Sequence, residues 1–194
     1  MSGYTLTESK KEDMRIDHIA YRVKDRFKTA ELFIKCFGYR LAEDLPEGFQ
    51  ISFEDNSVAD CLVLLPPEQI SGKMPWMTEL FFEEFTSYHM APEIFISDGT
   101  ADSIVGKWVE QRGNIGGIHH IAYQVDNVEQ TMKEWEEKGF AEFASKAPLS
   151  CPGLVQVFTK PSELTGVIYE FIEREDHGFC VNNVKQLMES TRHF

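Results

Sequence analysis

Two histidines at one place in a repeated phrase are the residues of this chain best suited to chemistry. Ile16-Asp17-His18-Ile19-Ala20-Tyr21-Arg22-Val23 returns as Ile118-His119-His120-Ile121-Ala122-Tyr123-Gln124-Val125. A self-match at a fixed offset signals duplicated units. Two units that each open with a strand bearing an inward histidine can aim both imidazoles at one point. Glu170 lies in a later strand, in phase with Ile168 and Ile172, and a carboxylate on such a face is costly unless it is paired. A divalent cation held by His18, His120 and Glu170 removes that cost. Two histidines and one carboxylate with open positions are the ligand set of non-haem Fe(II) oxygenases. The same set suits Mn, Co, Ni or Zn acting as a Lewis acid. The expectation is one divalent metal, with Fe(II) favoured.

The competing account is structural. A strand histidine is more often a hydrogen-bonded core residue, and His89, His177 and His193 are read that way. Strict alternation sends His119 to the face opposite His120, again as a structural residue. Duplication alone would copy a structural histidine into both units. The in-phase Glu170 is what favours a metal for His18 and His120.

The elements that must position these side chains follow from periodicity. In the first phrase Ile16, His18, Ala20 and Arg22 share one face, with Ile19, Tyr21 and Val23 on the other. Helical spacing of Phe27, Ala30, Ile34 and Phe37 ends at Gly38, and that of Val128, Met132 and Trp135 ends at Gly139. Three strands are expected after the second helix, at about 141–147, 154–159 and 166–172, with Pro152-Gly153 as a turn. In the first unit the preferred strands are 39–43, 49–53 and 61–65. Residues 93–97 are then an extra strand, or else the last strand of the unit after a long loop. The expected class is α+β, with two βαβββ modules forming a curved mixed sheet around one metal site. The preferred division is a leader at 1–14, a first module at 15–66 and an insertion and linker with extra strand and helix at 67–114. A second module at 115–175 and a helical tail at 176–194 follow, with Val184, Leu187 and Met188 on the tail's apolar side.

Bulk properties narrow the partners. A net charge of −13 argues against a phosphate-binding surface, so no nucleic acid is expected. No apolar run is long enough to span a bilayer. The four cysteines lack zinc-like spacing and read as reduced thiols of a cytoplasmic protein. Aromatics in the 67–91 segment suggest a homodimer contact or a cap over the site.

Taken together, residues 15–175 resemble the vicinal oxygen chelate (glyoxalase-like) superfamily, whose members pair βαβββ modules around one divalent metal. Two branches compete. Asp102 to Trp108, the phrase His119-His120-Ile121-Ala122 and Gly166 to Glu170 look like methylmalonyl-CoA epimerase. Val155 to Pro161, Tyr169 to Arg174 and His177-Gly178-Phe179 look like the C-terminal domain of 4-hydroxyphenylpyruvate dioxygenase. In both, the resemblance implies ligands at His18, His120 and Glu170. The epimerase branch adds a fourth Glu or Gln. It would fall on Val63 in the preferred strand order or near Ile94 in the other, with Glu93 a substitute after a one-residue shift. The epimerase's catalytic carboxylate has no counterpart around Gln50 to Phe53. The dioxygenase branch implies that Gln156 orients substrate and Phe179 excludes water. That branch is a longer chain, and its tail reads GFGAGNF where this one reads GFCVNNV.

The leading expectation is a 4-hydroxyphenylpyruvate dioxygenase-like Fe(II) oxygenase acting on a 2-oxo acid. The alternative is an epimerase- or glyoxalase-like isomerase or lyase of an acyl substrate, using a divalent metal to stabilise an enediolate, with Glu93 or a displaced Glu170 as base. A small-molecule binding protein without chemistry is the third.

Overall fold

The computed structural model describes residues 14–67, 91–175 and 179–194. Most of the expected leader and insertion, with His89 and His177, lie outside the described residues. In chain order the first half contains β1 (Arg15–Arg22), α1 (Arg26–Phe37), β2 (Arg40–Leu41), β3 (Phe49–Ser52), β4 (Val58–Leu65) and β5 (Glu93–Gly99). Helix α2 (Ile104–Gln111) leads to β6 (Gly117–Gln124), α3 (Val128–Glu137), β7 (Leu149–Cys151), β8 (Leu154–Phe158) and β9 (Ile168–Arg174), and α4 (Val181–Ser190) closes the chain.

The repeated phrase forms the two central strands, β1 and β6, which pair antiparallel. Around them the sheet runs β2-β4-β5-β1-β6-β9-β8-β7, with β3 paired to β4. Strand β5 lies parallel to β1 as β9 lies parallel to β6. The two halves therefore mirror each other across the β1–β6 seam, and the expected α+β class with two similar modules in one mixed sheet is found.

Two strand assignments change. The preferred order ended the first unit at Leu65, yet Glu93–Gly99 pairs with both β4 and β1, where β9 sits in the second half. Its run Ile94 to Ile96 is buried on both faces, which only an interior strand provides. The strand expected at 141–147 shrinks to one bridge between Phe143 and Thr159, and β7 pairs with β8 instead. Ser145 Oγ donates to the Ala147 carbonyl at 2.8 Å, and Pro148 has no N–H to offer a ladder.

The repeat extends to helix ends. Asp25 accepts from the Lys28 amide to cap α1, and Asn127, at the same offset, accepts from the Gln130 amide to cap α3. Each such cap contributes about 1 kcal/mol. Both helices stop at glycines in the left-handed region, Gly38 at φ 75° and Gly139 at φ 67°. Helices α1 and α3 cover the outer face of the sheet, through Ala30 against Leu62, Leu64, Ile94 and Ile96, and Val128 and Met132 against Val157 and Phe171. Helix α4 lies across the inner face, where Val184 and Met188 join the cluster of Ala20, Val63 and Phe95, and Leu187 meets Phe158 and Ile168. This is the apolar side expected for the tail.

Candidate metal centre

Strand phase brings His18, Ala20 and Arg22 of β1 to the inner face, opposite His120 and Ala122 of β6 and Glu170 of β9. His18 Nε2 and His120 Nε2 are 3.2 Å apart, and each is 3.2 Å from Glu170 Oε2. Two donors bound about 2.1 Å from one cation at right angles stand about 3.0 Å apart. An almost equilateral triangle of this size is one face of a cation's coordination shell. All three side chains are buried, Glu170 to 1 % exposure. The donor set thus fits a divalent ion.

Each imidazole is aimed by the residue before it. Between Ile16 and His18, and again between Ile118 and His120, the β1–β6 ladder takes up one extra residue, Asp17 and His119 respectively. Such bulges break alternation and re-aim a side chain. Asp17 accepts from His18 Nδ1 at 2.7 Å and from Arg174 Nη2 at 2.8 Å. His119 Nδ1 and His120 Nδ1 share a hydrogen bond of 2.9 Å. The reading of His119 as a residue of the opposite face is therefore corrected: it lines the same cavity as His120. Holding Nδ1 leaves Nε2 of each ring free to face a cation.

Gln156 sits on β8, 1 % exposed, and its Nε2 donates to Glu170 Oε1 at 2.6 Å, while Asn183 Nδ2 of α4 donates to its Oε1 at 3.4 Å. It thus grips the carboxylate oxygen that does not face the histidines. Phe179 stands edge-on to His18 with ring centroids 5.4 Å apart, and Phe158 lies 4.6 Å from His120. Beneath α4 the cavity offers about 30 Å³, room for one or two waters.

Electrostatics tie the three donors together. Burial disfavours a charged His18, but the Glu170 and Asp17 carboxylates outweigh it and lift the imidazole to about 9. Burial lowers His120 despite Glu170, and it lowers His119 further, with Arg22 and His120 adding to the effect. Burial alone would raise Glu170; the two histidines instead hold it below the usual carboxylate range.

The position equivalent to Glu170 in the first half is now readable. Glu170 pairs with Ala122, two residues after His120, and Phe95 pairs with Ala20, two residues after His18. A fourth ligand would thus fall on Phe95, next to Ile94 as the alternative strand order has it and not on Val63, and its ring packs against His18 and Phe179. Glu93 pairs with His18 at the start of β5 and is absent from the described residues lining the cavity. Arg22, which carried no role in the sequence reading, lines the cavity while buried to 2 % exposure. Its in-phase spacing with His18 was the available signal.

Comparisons with known proteins agree with this fold. Methylmalonyl-CoA epimerase of Mus musculus is 22% identical over 156 residues, spanning 80% of this chain and 71% of that protein. The human mitochondrial enzyme is likewise 22% identical. Among solved structures, methylmalonyl-CoA epimerase from Mycobacterium tuberculosis superposes with a TM-score of 0.56 at 16% identity, covering 84% of this chain and 89% of the other. A mutant of 4-hydroxymandelate synthase from Streptomyces coelicolor gives 0.67 at 15% identity, covering 91% of this chain and 53% of that one. At these identities the structural likeness speaks for the fold. The family profile matches residues 17–150, most of the chain. With its duplicated halves and shared inner site, this chain belongs to the Glyoxalase/Bleomycin resistance protein/Dioxygenase superfamily.

Proposed function

We propose that this protein is a metal-dependent enzyme, an Fe(II) oxygenase acting on a 2-oxo acid. One observation carries the reading: the triangle of His18, His120 and Glu170 faces an apolar wall where a fourth ligand would stand, at Phe95. When bound, such a cation supplies coordination positions for a chelating oxo acid and for dioxygen. The rest is the work of the chain. Asp17 and His119 hold the imidazole planes, and Gln156 fixes the Glu170 carboxylate. Phe179 and Phe158 exclude water from the reacting atoms. Admitting substrate requires α4 to shift, because the space beneath it is small.

The epimerase-like reading is favoured by a different observation, the 22% identity to mammalian methylmalonyl-CoA epimerases. It concerns an acyl substrate and needs a base. Of Glu93 and Glu170, only Glu170 lines the cavity among the described residues. Loading with Fe(II) without oxygen, followed by oxygen uptake on arylpyruvates and other 2-oxo acids, separates the two. Oxygen consumed with substrate supports the first. Metal-dependent exchange of a substrate proton without oxygen uptake supports the second, and metal binding with neither supports a binding protein.

Two expected results follow here. Cations bind neutral imidazoles, and His18 keeps its proton up to about 9. Below that value each cation displaces a proton, so affinity rises with pH, by up to about tenfold per unit, and levels above it. Calorimetric titration of Co(II) at several pH values checks the slope; an affinity independent of pH between 6 and 8 contradicts it. Gln156→Leu should lower metal affinity or turnover by about 10- to 100-fold, the usual effect of losing a partner of a ligand. Unchanged affinity and turnover in that variant would remove Gln156 from the site.

A homodimer remains the reading for assembly, since Phe27, Ile34 and Phe37 share one side of α1 and are all exposed, and light scattering tests it. Among the described residues no helix is long and apolar enough to cross a membrane. We place the protein in the cytoplasm; fractionation tests it, because the mammalian relatives are mitochondrial enzymes.

A further inference from the structure

The cavity holds more positive character than the metal ligands explain. Arg22 lies four residues beyond His18 on β1, roughly 13 Å along the strand at 3.3 Å per residue, and lines the same space. Its Nη2 donates to Thr191 Oγ1 at 3.2 Å, and its guanidinium carbon lies 5.9 Å from the Trp108 ring. Nη1 is buried and has no hydrogen-bond partner among the described residues. No carboxylate among them pairs with Arg22, in contrast to Arg26, which meets Asp60 and Asp98. Burial pulls its pKa down to about 9, so the group is still charged at neutral pH.

A second unpartnered atom belongs to another residue lining the cavity. His119 Nε2 is also buried and without a partner. If His120 Nε2 faces a cation, the proton of that ring sits on Nδ1 and is donated to His119 Nδ1, 2.9 Å away. The proton of the neutral His119 ring is then on Nε2. These two of the four buried polar side-chain atoms without partners among the described residues are thus N–H donors, and one belongs to a charged guanidinium. A buried cation without a partner costs folding free energy, and an anion placed against it offsets that cost. The α4 C-terminus, where Thr191 sits, accounts for Nη2 but leaves Nη1 and His119 Nε2 unexplained.

We infer that Arg22 and His119 form an anion subsite, and that the substrate is an oxo acid bearing a second carboxylate. Its oxo-acid end faces His18, His120 and Glu170, and its far carboxylate meets the guanidinium. The inference rests on the metal-centre reading and names the substrate class for it.

The experiment uses the full chain loaded with Co(II). 2-Oxoglutarate and 2-oxoadipate are titrated by calorimetry against 2-oxopentanoate and 2-oxohexanoate, the same chains without the second carboxylate. The dicarboxylates should bind about 10- to 100-fold more tightly, as expected for a charge-assisted pair. Arg22→Met should abolish the difference, and Arg22→Lys should keep part of it. Arg22→Met should also leave the melting temperature unchanged or raise it, because it removes an unpaired buried charge; an arginine present only to tie down α4 would lower it. Equal affinities in the unsubstituted protein, or a preference that survives Arg22→Met, overturn the subsite. Co(II) uptake is read separately by its visible absorption. Normal uptake without dicarboxylate preference overturns the subsite alone, and absent uptake overturns the metal-centre reading together with it.

Discussion

Replacing Glu170 with alanine is expected to lower divalent-metal affinity by more than about 100-fold, since loss of a mere partner of a ligand already costs about 10- to 100-fold. Glu170 Oε2 is the one acidic corner of the triangle, 3.2 Å from both histidine nitrogens. Alanine leaves two imidazoles, one of them lifted to about 9 largely by the missing carboxylate. Removing one member of a buried pair costs on the order of 3–5 kcal/mol when the other stays charged. Here His18 can lose its proton and keeps Asp17, so the stability loss should fall at or below the lower end. Glu170→Gln preserves volume and separates lost charge from lost packing. Metal content of the purified variants, with circular dichroism as the folding control, is the measurement. Stoichiometric metal in both variants would mean that the triangle is not the binding site.

The neighbouring side chain should behave in the opposite way. Phe171→Ala is expected to destabilise the protein by about 3–5 kcal/mol while the folded fraction still takes up metal. Phe171 is 1 % exposed and points to the outer face, with the Trp135 ring centroid 4.7 Å away and Phe143 at 6.1 Å. Cutting it back leaves a void under α3, against Val128 and Met132. Among the described residues its buried partners on that face are Val125, Val128, Met132, Phe143 and Val157, none of them a corner of the triangle. Denaturant unfolding reads the loss, and metal titration of the folded variant reads the site. A loss below about 1 kcal/mol would contradict the packing described. Adjacent positions on β9 thus separate chemistry from core.

That separation rests on strand alternation, which is why the main features of the site were legible before any coordinates. The doubled phrase marks two equivalent strands, and a period of two sorts their side chains by face. Glu170 in phase with Ile168 and Ile172 needs no knowledge of neighbours to look out of place. The caps of α1 and α3 and their glycine stops are equally local. The failures share one origin. His119 was sent to the wrong face because an extra residue in the β1–β6 ladder shifts the phase, and the extra residue is visible only against the partner strand. Residues 93–97 read either as an extra strand or as the last strand of the first unit, and only their pairing with β4 and β1 selects the second, because a long segment separates them from the rest of the unit in sequence. The expected strand at 141–147 yielded to a bend over residues 144–147, just before Pro148.

Local pattern was therefore enough for the duplication, the face of each strand and the three side chains that converge. Pairing across distant residues was needed for the rest. Ladder register decided for Phe95, beside Ile94, over Val63 as the position equivalent to Glu170, and it brought His119 into the cavity. The contact from Gln156 to Glu170 joins two strands whose spacing the turns alone do not set. Whether a buried group such as Arg22 lacks a partner depends on everything packed around it. Periodicity tells which way a side chain points; only the assembled neighbours determine what it meets there.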